Sequence, residues 1–284
     1  MNDNSITVPK KEPVLFMLNK IPGYDHNAAH NYDKNAQKFA GIAGLEKIKI
    51  YPFIERAFNE AALNGSFDRQ NDKILDIGCG PFLLALPFLR RGIAVDGVDS
   101  SKNMLKVAKD NLKKTNLGYV SNDNMQEISS MRDVPCAEYG FAMMNFVHQC
   151  SPNRKSLDKL FQVAFKALKP GSTLYITGAH PDHLDVPHSL CEYDIDDVST
   201  MKEGQRYTGR IYQQDGTSYD LYGDHFWQID SLKKAARKAG FNFSNGDVEK
   251  IEDVEVLSPV RQPSREAAYF GMTLTKPLPK AQVA

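Results

Sequence analysis

Between Lys73 and Pro81 the chain reads Lys-Ile-Leu-Asp-Ile-Gly-Cys-Gly-Pro, a short apolar run that carries one acid, Asp76, and then breaks into Gly78-Cys79-Gly80. An apolar run of this length bounded by glycines predicts a buried strand, and the pattern from Leu83 to Arg90 predicts a helix directly after it. Glycine at 78 and 80 lets the backbone turn sharply and approach a ligand closely. Strand, tight turn and helix together are the unit of an open α/β sheet, in which ligands bind beyond the carboxyl ends of the strands.

Two details narrow the ligand. A dinucleotide fingerprint needs a third glycine three residues after the second, and Leu83 stands there, which weakens a pyrophosphate reading. Asp76 sits at the mouth of the strand, where a fixed carboxylate repels pyrophosphate but suits an ammonium group. A cationic cofactor is therefore favoured. The next strand, Ile93 to Asp99, delivers an acid 19 residues after Gly80, about where such folds place a carboxylate on a ribose diol.

These residues resemble the class I S-adenosylmethionine-dependent methyltransferases of the small-molecule type. The family's strand-one motif D-x-G-x-G is Asp76-Ile-Gly78-Cys-Gly80, and its strand-two acid followed by S-x-x-M-L is Asp99 with Ser100-Ser-Lys-Asn-Met104-Leu105. The resemblance implies that Gly78, Cys79 and Gly80 pack on S-adenosyl-L-methionine, that Asp76 lies near its amino-acid end, that Asp99 takes the ribose hydroxyls with Ser100 also in the cofactor site, and that Met104 covers the adenine. Downstream, Asn124-Met125 occupies the family's adenine-edge position, with Asn124 in place of the usual acid and Asp123 as its alternative. Tyr139 to His148 resembles the fourth strand and its loop, so Asn145 and Phe146 face cofactor and acceptor. The segment Asn31 to Phe39 resembles the Y-D-x-x-A helix that folds over the cofactor, which puts Tyr32 at the methionine end; Tyr24-Asp25 competes for that role.

The expected fold is α/β: a seven-stranded, mostly parallel, doubly wound sheet with an N-terminal helical lid and a β-hairpin insertion after strand five. Residues 1–30 read as an N-terminal extension, 31–277 as the methyltransferase domain with a substrate insertion at about 179–229, and 278–284 as a tail. Strands near 247–257 and 266–275 would close the sheet with an antiparallel edge. Within the insertion, Arg206 to Tyr212 and Thr217 to Tyr222 alternate around Gln214-Asp215-Gly216, a hairpin signal. Hanging over the carboxyl edge, the hairpin would wall an acceptor pocket with members of the set Tyr207, Tyr212, Tyr219, Tyr222, Phe226 and Trp227. Its free edge is also a surface on which a second copy of the chain could pair.

Methyl transfer from a sulfonium needs the two centres held in line in a dry pocket, and needs a base only when the acceptor must lose a proton. His148, His180 and His225 are the candidate bases, with His183 beside His180; each could instead hydrogen-bond a backbone carbonyl. The His180-Pro-Asp-His183 run, with His188, has ligand-type residues, but the prolines break any regular geometry and no cysteine pair supports zinc, so no metal is expected. Four scattered cysteines read as reduced structural thiols.

The 35 basic and 35 acidic side chains balance, leaving no electrostatic footprint for nucleic acid or an anionic membrane. Asn145-Phe-Val-His also lacks the Asn/Asp-Pro-Pro-aromatic signature of base N-methyltransferases. The polar first thirty residues contain no apolar run of signal-peptide or spanning length, so a cytoplasmic setting is expected. The leading expectation is methyl transfer to a small aromatic or heteroaromatic acceptor at N or O. The alternatives are a cofactor-binding protein of this fold without transfer activity and, below it, a nucleotide-dependent oxidoreductase.

Overall fold

The computed structural model describes residues 14–18, 26–115, 125–128, 133–188, 191–213, 217–243, 248–252 and 267–279. The large sheet has eight strands, and those at its centre are apolar and buried. The eight are β1 (Leu15–Leu18), β2 (Lys73–Ile77), β3 (Ala94–Asp99), β4 (Met125–Ile128), β5 (Tyr139–Asn145), β6 (Leu168–Ala179), β10 (Val248–Glu252) and β11 (Ala267–Thr275). Their order is β10-β11-β6-β5-β2-β3-β1-β4. All neighbours are parallel except β11, which runs antiparallel to both β6 and β10.

Period-two alternation divides the strand residues between two cores. Leu75, Ala142, Met144, Leu174 and Ile176 face one side, where they meet Leu157 and Phe161 of α4 (Arg154–Ala167) and Leu232 of α5 (Ile229–Ala239). Ile74, Phe141, Met143 and Tyr175 face the other. There they meet Phe88 of α2 (Leu86–Arg90), Leu105 of α3 (Lys102–Lys113), and Ile54 and Phe58 of α1 (His26–Leu63). Helix α1 presents Ile50, Ile54, Ala57, Phe58 and Ala61 along one stripe at helical spacing, which is why its second half lies flat on the sheet. A sheet covered on both faces is the doubly wound architecture expected from the motifs.

The sheet holds the seven expected strands and one more. The sequence alone assigns residues 1–30 to an extension outside the sheet, yet Leu15–Leu18 enters it as β1, between β3 and β4. Leu15, Phe16 and Met17 pair with Gly97, Val98 and Asp99. The insertion is anchored by buried Asp96, whose carboxylate accepts from the Val14 amide at 2.9 Å, Lys73 Nζ at 3.0 Å and the Tyr139 hydroxyl at 3.1 Å.

After β6 the chain forms a second, antiparallel sheet of β7 (Cys191–Tyr193), β8 (Arg206–Tyr212) and β9 (Ser218–His225). Its hairpin was expected, although the Gln214–Gly216 turn lies outside the described residues. The first half of α1 packs against β9 and α3, so the small sheet and the helix meet above the carboxyl edge of the large sheet. Among the described residues no helix is long and apolar enough to cross a membrane.

Candidate active site

The turn after β2 is built on backbone geometry. Gly78 and Gly80 adopt φ of 69° and 49°, the left-handed region that glycine enters without steric cost. A Cβ at Gly78 would lie 2.2 Å from a methyl of Val147, so no side chain fits there. The Gly78 and Cys79 amides donate to the Val98 carbonyl at 2.7 and 3.1 Å, which folds the turn onto the end of β3. The Cys79 thiol is buried in this turn, and burial pushes it well above its ordinary pKa.

Asp99 closes the turn. Its carboxylate accepts the Gly80 amide on one oxygen and the Ser101 amide on the other, both at 2.8 Å. Ser100, half-buried beside it, adds a further backbone N–H. Burial raises the Asp99 carboxyl and these amides pull it back down. Asp76 is buried two residues before Gly78; burial, and then the charge of Asp99, hold its carboxyl well above the usual range. Among the described residues neither acid has an ion-pair partner, so this corner suits a ligand that brings positive charge and hydroxyl donors.

Helix α1 covers the same corner. Asp33 accepts from Ser101 Oγ and from the Asn103 amide, both at 2.8 Å, capping α3 from outside. One turn of helix later, Ala36 packs with Tyr32 on buried Met104. Tyr32 thus stands between the adenine-side residue expected from the sequence and the small sheet, where it also packs with Cys191, Ile211, Tyr219 and Leu221. Asn124 and the side chain of Met125, expected at the adenine edge, lie outside the described residues, as does Tyr24.

The end of β5 supplies a second turn in direct contact with the first, because Val147 fills the space above Gly78. Phe146 has φ of 55°, an uncommon conformation for an aromatic residue; it is held by its amide donating to Thr177 O at 3.0 Å and by an edge-to-face contact with Tyr269 at 5.6 Å. Strain of this kind collects at functional turns. Asn145 Oδ1 accepts from Thr177 Oγ1 at 2.8 Å, while its buried Nδ2 has no partner among the described residues.

The three candidate histidines are all buried. His148 wedges its ring against Phe270 at 5.4 Å and against the bare backbone of Gly178; burial pushes its pKa down to about 3. His180, at the end of β6, accepts the Asp182 amide at 3.4 Å and stacks edge-to-face on His183; burial, helped by His183, brings it to about 4. His225 Nδ1 lies 3.3 Å from the Gln149 carbonyl oxygen. Both shifted rings are neutral at pH 7. Among the described residues no group of three His, Cys, Asp or Glu side chains is arranged to hold a metal ion.

Alternation sorts the hairpin aromatics. Tyr207 and Tyr219 face inward and are buried. Tyr207 meets Tyr193 edge-to-face at 5.3 Å and shares a cluster with Phe226, Ala179, Leu184 and Phe146. Three expected pocket residues are placed elsewhere. Tyr222 is on the outer face, 49% exposed, bonded to Asp220. Tyr212 is only partly buried and gives its hydroxyl to Glu192. Trp227 turns into the α4/α5 core and donates to the Ser151 carbonyl at 2.9 Å.

Sequence reasoning missed Tyr193, buried Lys49 over the Tyr269 ring at 5.7 Å, and buried Asp224. Asp224 accepts from Gln149 Nε2 at 3.2 Å and from the Tyr32 hydroxyl, and burial raises its pKa to about 6. The signal for it was slight: a Gly-Asp pair near the end of an alternating strand.

Residues 74–171, from β2 to the turn inside β6, match the family described as "Methyltransferase domain". A ubiquinone biosynthesis O-methyltransferase of Pelagibacter ubique is 38% identical over 100 residues, 34% of this chain and 41% of that protein. The mitochondrial ubiquinone biosynthesis O-methyltransferase of Rattus norvegicus is 25% identical over 166 residues, 55% of this chain and 45% of the relative. These alignments span less than half of either relative's length. The solved S-adenosylmethionine-dependent methyltransferase from Clostridium acetobutylicum superposes with a TM-score of 0.58 at 14% identity, covering 88% of this chain and 97% of that one. A methyltransferase from Methanosarcina mazei gives 0.53 at 17% identity, covering 77% and 98%. A D-x-G-x-G turn closed by Asp99, the match over residues 74–171 and this sheet order show a methyltransferase domain with the fold of the solved class I S-adenosylmethionine-dependent methyltransferases.

Proposed function

We propose that the chain transfers the methyl group of S-adenosylmethionine to a small aromatic or heteroaromatic acceptor at N or O, beneath a cover formed by α1 and the small sheet. The supporting observation is the contact between the two turns. The Gly78 turn and the Asn145–Val147 turn touch through Val147, and the second carries a strained Phe146 and a buried Asn145 amide with no partner among the described residues.

The cofactor fits the residues present. Gly78 makes a left-handed turn packed so tightly on Val147 that no Cβ fits, Asp99 and Asp76 offer carboxylates with no cation beside them among the described residues, and Met104 lies under α1. When bound, S-adenosylmethionine supplies an already activated methyl, so the work left to the chain is alignment and exclusion of water. In this reading Asp99 holds the ribose hydroxyls, Asp76 faces the amino-acid end, and Asn145 Nδ2 donates to whatever polar atom is brought to the β5 turn. Tyr193, Tyr207 and Phe226, packed about Phe146, provide the apolar wall for a planar acceptor.

The test is to incubate the protein with methyl-labelled S-adenosylmethionine and a panel of small phenols, anilines and aromatic amines. Label transfer and S-adenosylhomocysteine release, both lost on deleting residues 206–223 while cofactor binding survives, are the expected results. Turnover that survives the deletion refutes the cover.

A further inference from the structure

The structure points to an amine-recognition site centred on Asp224, and we infer that the acceptor's reacting group is a protonated nitrogen held and deprotonated by this carboxylate. The inference rests on the methyltransferase reading and narrows its acceptor.

The backbone of β9 sets where Asp224 points. Tyr219 and Leu221 point inward, and strict alternation would send Asp224 outward with Asp220 and Tyr222. The register shifts between Tyr207 and Thr208, whose partners are Asp224 and Tyr222, so Gly223 is the extra residue. Gly223 has φ of 106°, and this bulge turns Asp224 inward to 5% exposure. Bulges that re-aim one side chain cluster beside active sites.

Next comes the charge. Asp224 accepts from two neutral donors, Gln149 Nε2 and the Tyr32 hydroxyl, and forms no ion pair among the described residues. A buried carboxylate without a cation is costly, and a ligand cation removes that cost. The groups facing it are Tyr32 from α1, Tyr207 from β8 and Gln149 from the turn after β5, with His225 adjacent in β9 and Cys150 beside Tyr207. None of them is a fixed cation. The Oε1 of the Gln149 amide is buried and has no partner among the described residues, so a second acceptor stands beside the carboxylate. Two acceptors call for a group with at least two N–H donors, which a phenol lacks. Tyr207 lies directly opposite Asp224 in the register, and an aromatic face beside a carboxylate adds to cation binding.

The proton balance is simple. One N–H bond of the ammonium breaks, its electron pair stays on nitrogen as the nucleophilic lone pair, and the proton forms an O–H bond on Asp224. The carboxyl then loses that proton to solvent between turnovers.

The test uses full-length protein saturated with S-adenosylhomocysteine, titrated calorimetrically with benzylamine and with benzyl alcohol between pH 5 and 8. Expected is at least tenfold tighter binding of benzylamine at pH 8. That preference fades as pH falls through about 6, where Asp224 takes up a proton. D224N should abolish the preference and its pH dependence while leaving S-adenosylmethionine and S-adenosylhomocysteine affinities unchanged. Q149L, which keeps the carboxylate, should weaken benzylamine severalfold. Equal binding of the two probes overturns the inference, as does a D224N protein that still prefers the amine. A D224N variant that weakens S-adenosylmethionine but not S-adenosylhomocysteine also overturns it, because the carboxylate then faces the sulfonium. Failure of the wild-type protein to bind S-adenosylhomocysteine is a different result and refutes the cofactor reading itself.

Discussion

Replacing Asp99 with asparagine tests how this fold holds a nucleoside. Both carboxylate oxygens are engaged at 2.8 Å, one by the Gly80 amide and one by the Ser101 amide. An asparagine keeps one acceptor and turns an NH2 toward the other N–H, so one bond is lost and the negative charge with it. The bond proposed to a ribose hydroxyl would drop from charge-assisted to neutral, and a charge-assisted bond is worth about 1.5–3 kcal/mol. Taking about 2 kcal/mol, the affinity for S-adenosylhomocysteine falls roughly 30-fold. Stability is a poor readout here. Burial raises the Asp99 carboxyl, so removing its charge offsets part of the cost of the broken backbone bond. The assay is calorimetric titration at pH 7.5, with thermal unfolding as a check that the variant is folded. A folded Asp99→Asn protein with wild-type affinity would refute the ribose assignment and the reasoning from the two amides.

Gly78→Ala forces a side chain into a left-handed conformation, about 1–2 kcal/mol, and into the Val147 methyl. Cofactor affinity should fall at least tenfold, and a near-native dissociation constant would show that the turn is not the cradle. Asp224→Asn should stabilise the free protein. Its carboxyl titrates near 6 when folded and at 3.8 in the reference state, so the favourable contribution is present below 3.8 and lost as pH rises through 6. The variant should therefore exceed the wild type at pH 8 by on the order of 3 kcal/mol, and match it near pH 4. Denaturant unfolding at the two pH values reads this difference, and a gap that does not narrow on acidification contradicts it. Trp227→Phe removes the bond to Ser151 O and should cost about 1 kcal/mol of stability with no change in acceptor KM. Exposed Tyr222→Ala should change neither, and a raised KM in either variant would return that residue to the pocket.

The turn after β2 and the acid that closes it were legible because their signals are local. Asp76, Gly78, Gly80 and Asp99 belong to two strands and their turns, and the spacing between them reports strand and helix lengths directly. The hairpin was legible for the same reason, since alternating residues flank a turn sequence. What escaped depends on contacts distant in the chain. β1 is four residues long in a polar surrounding, and it enters the sheet because Asp96, 82 residues from Val14, takes that residue's amide. Alternation showed that half the hairpin tyrosines face in, but which half depends on where α1 and the β5 turn lie. Asp224 was hidden by a one-residue bulge that reverses the parity on which such reasoning rests. The histidines stood out by residue type alone, and their burial, which sets their charge, is a property of the packed molecule.

The central claim is that the corner made by the Gly78 turn, Asp99 and the Asn145 turn is a cofactor site. The most direct measurement is calorimetric titration of the full-length protein with S-adenosylmethionine and with S-adenosylhomocysteine. Micromolar binding of both at one site per chain is the predicted result. Absence of heat with either ligand, from protein shown to be folded, would contradict the account at its base.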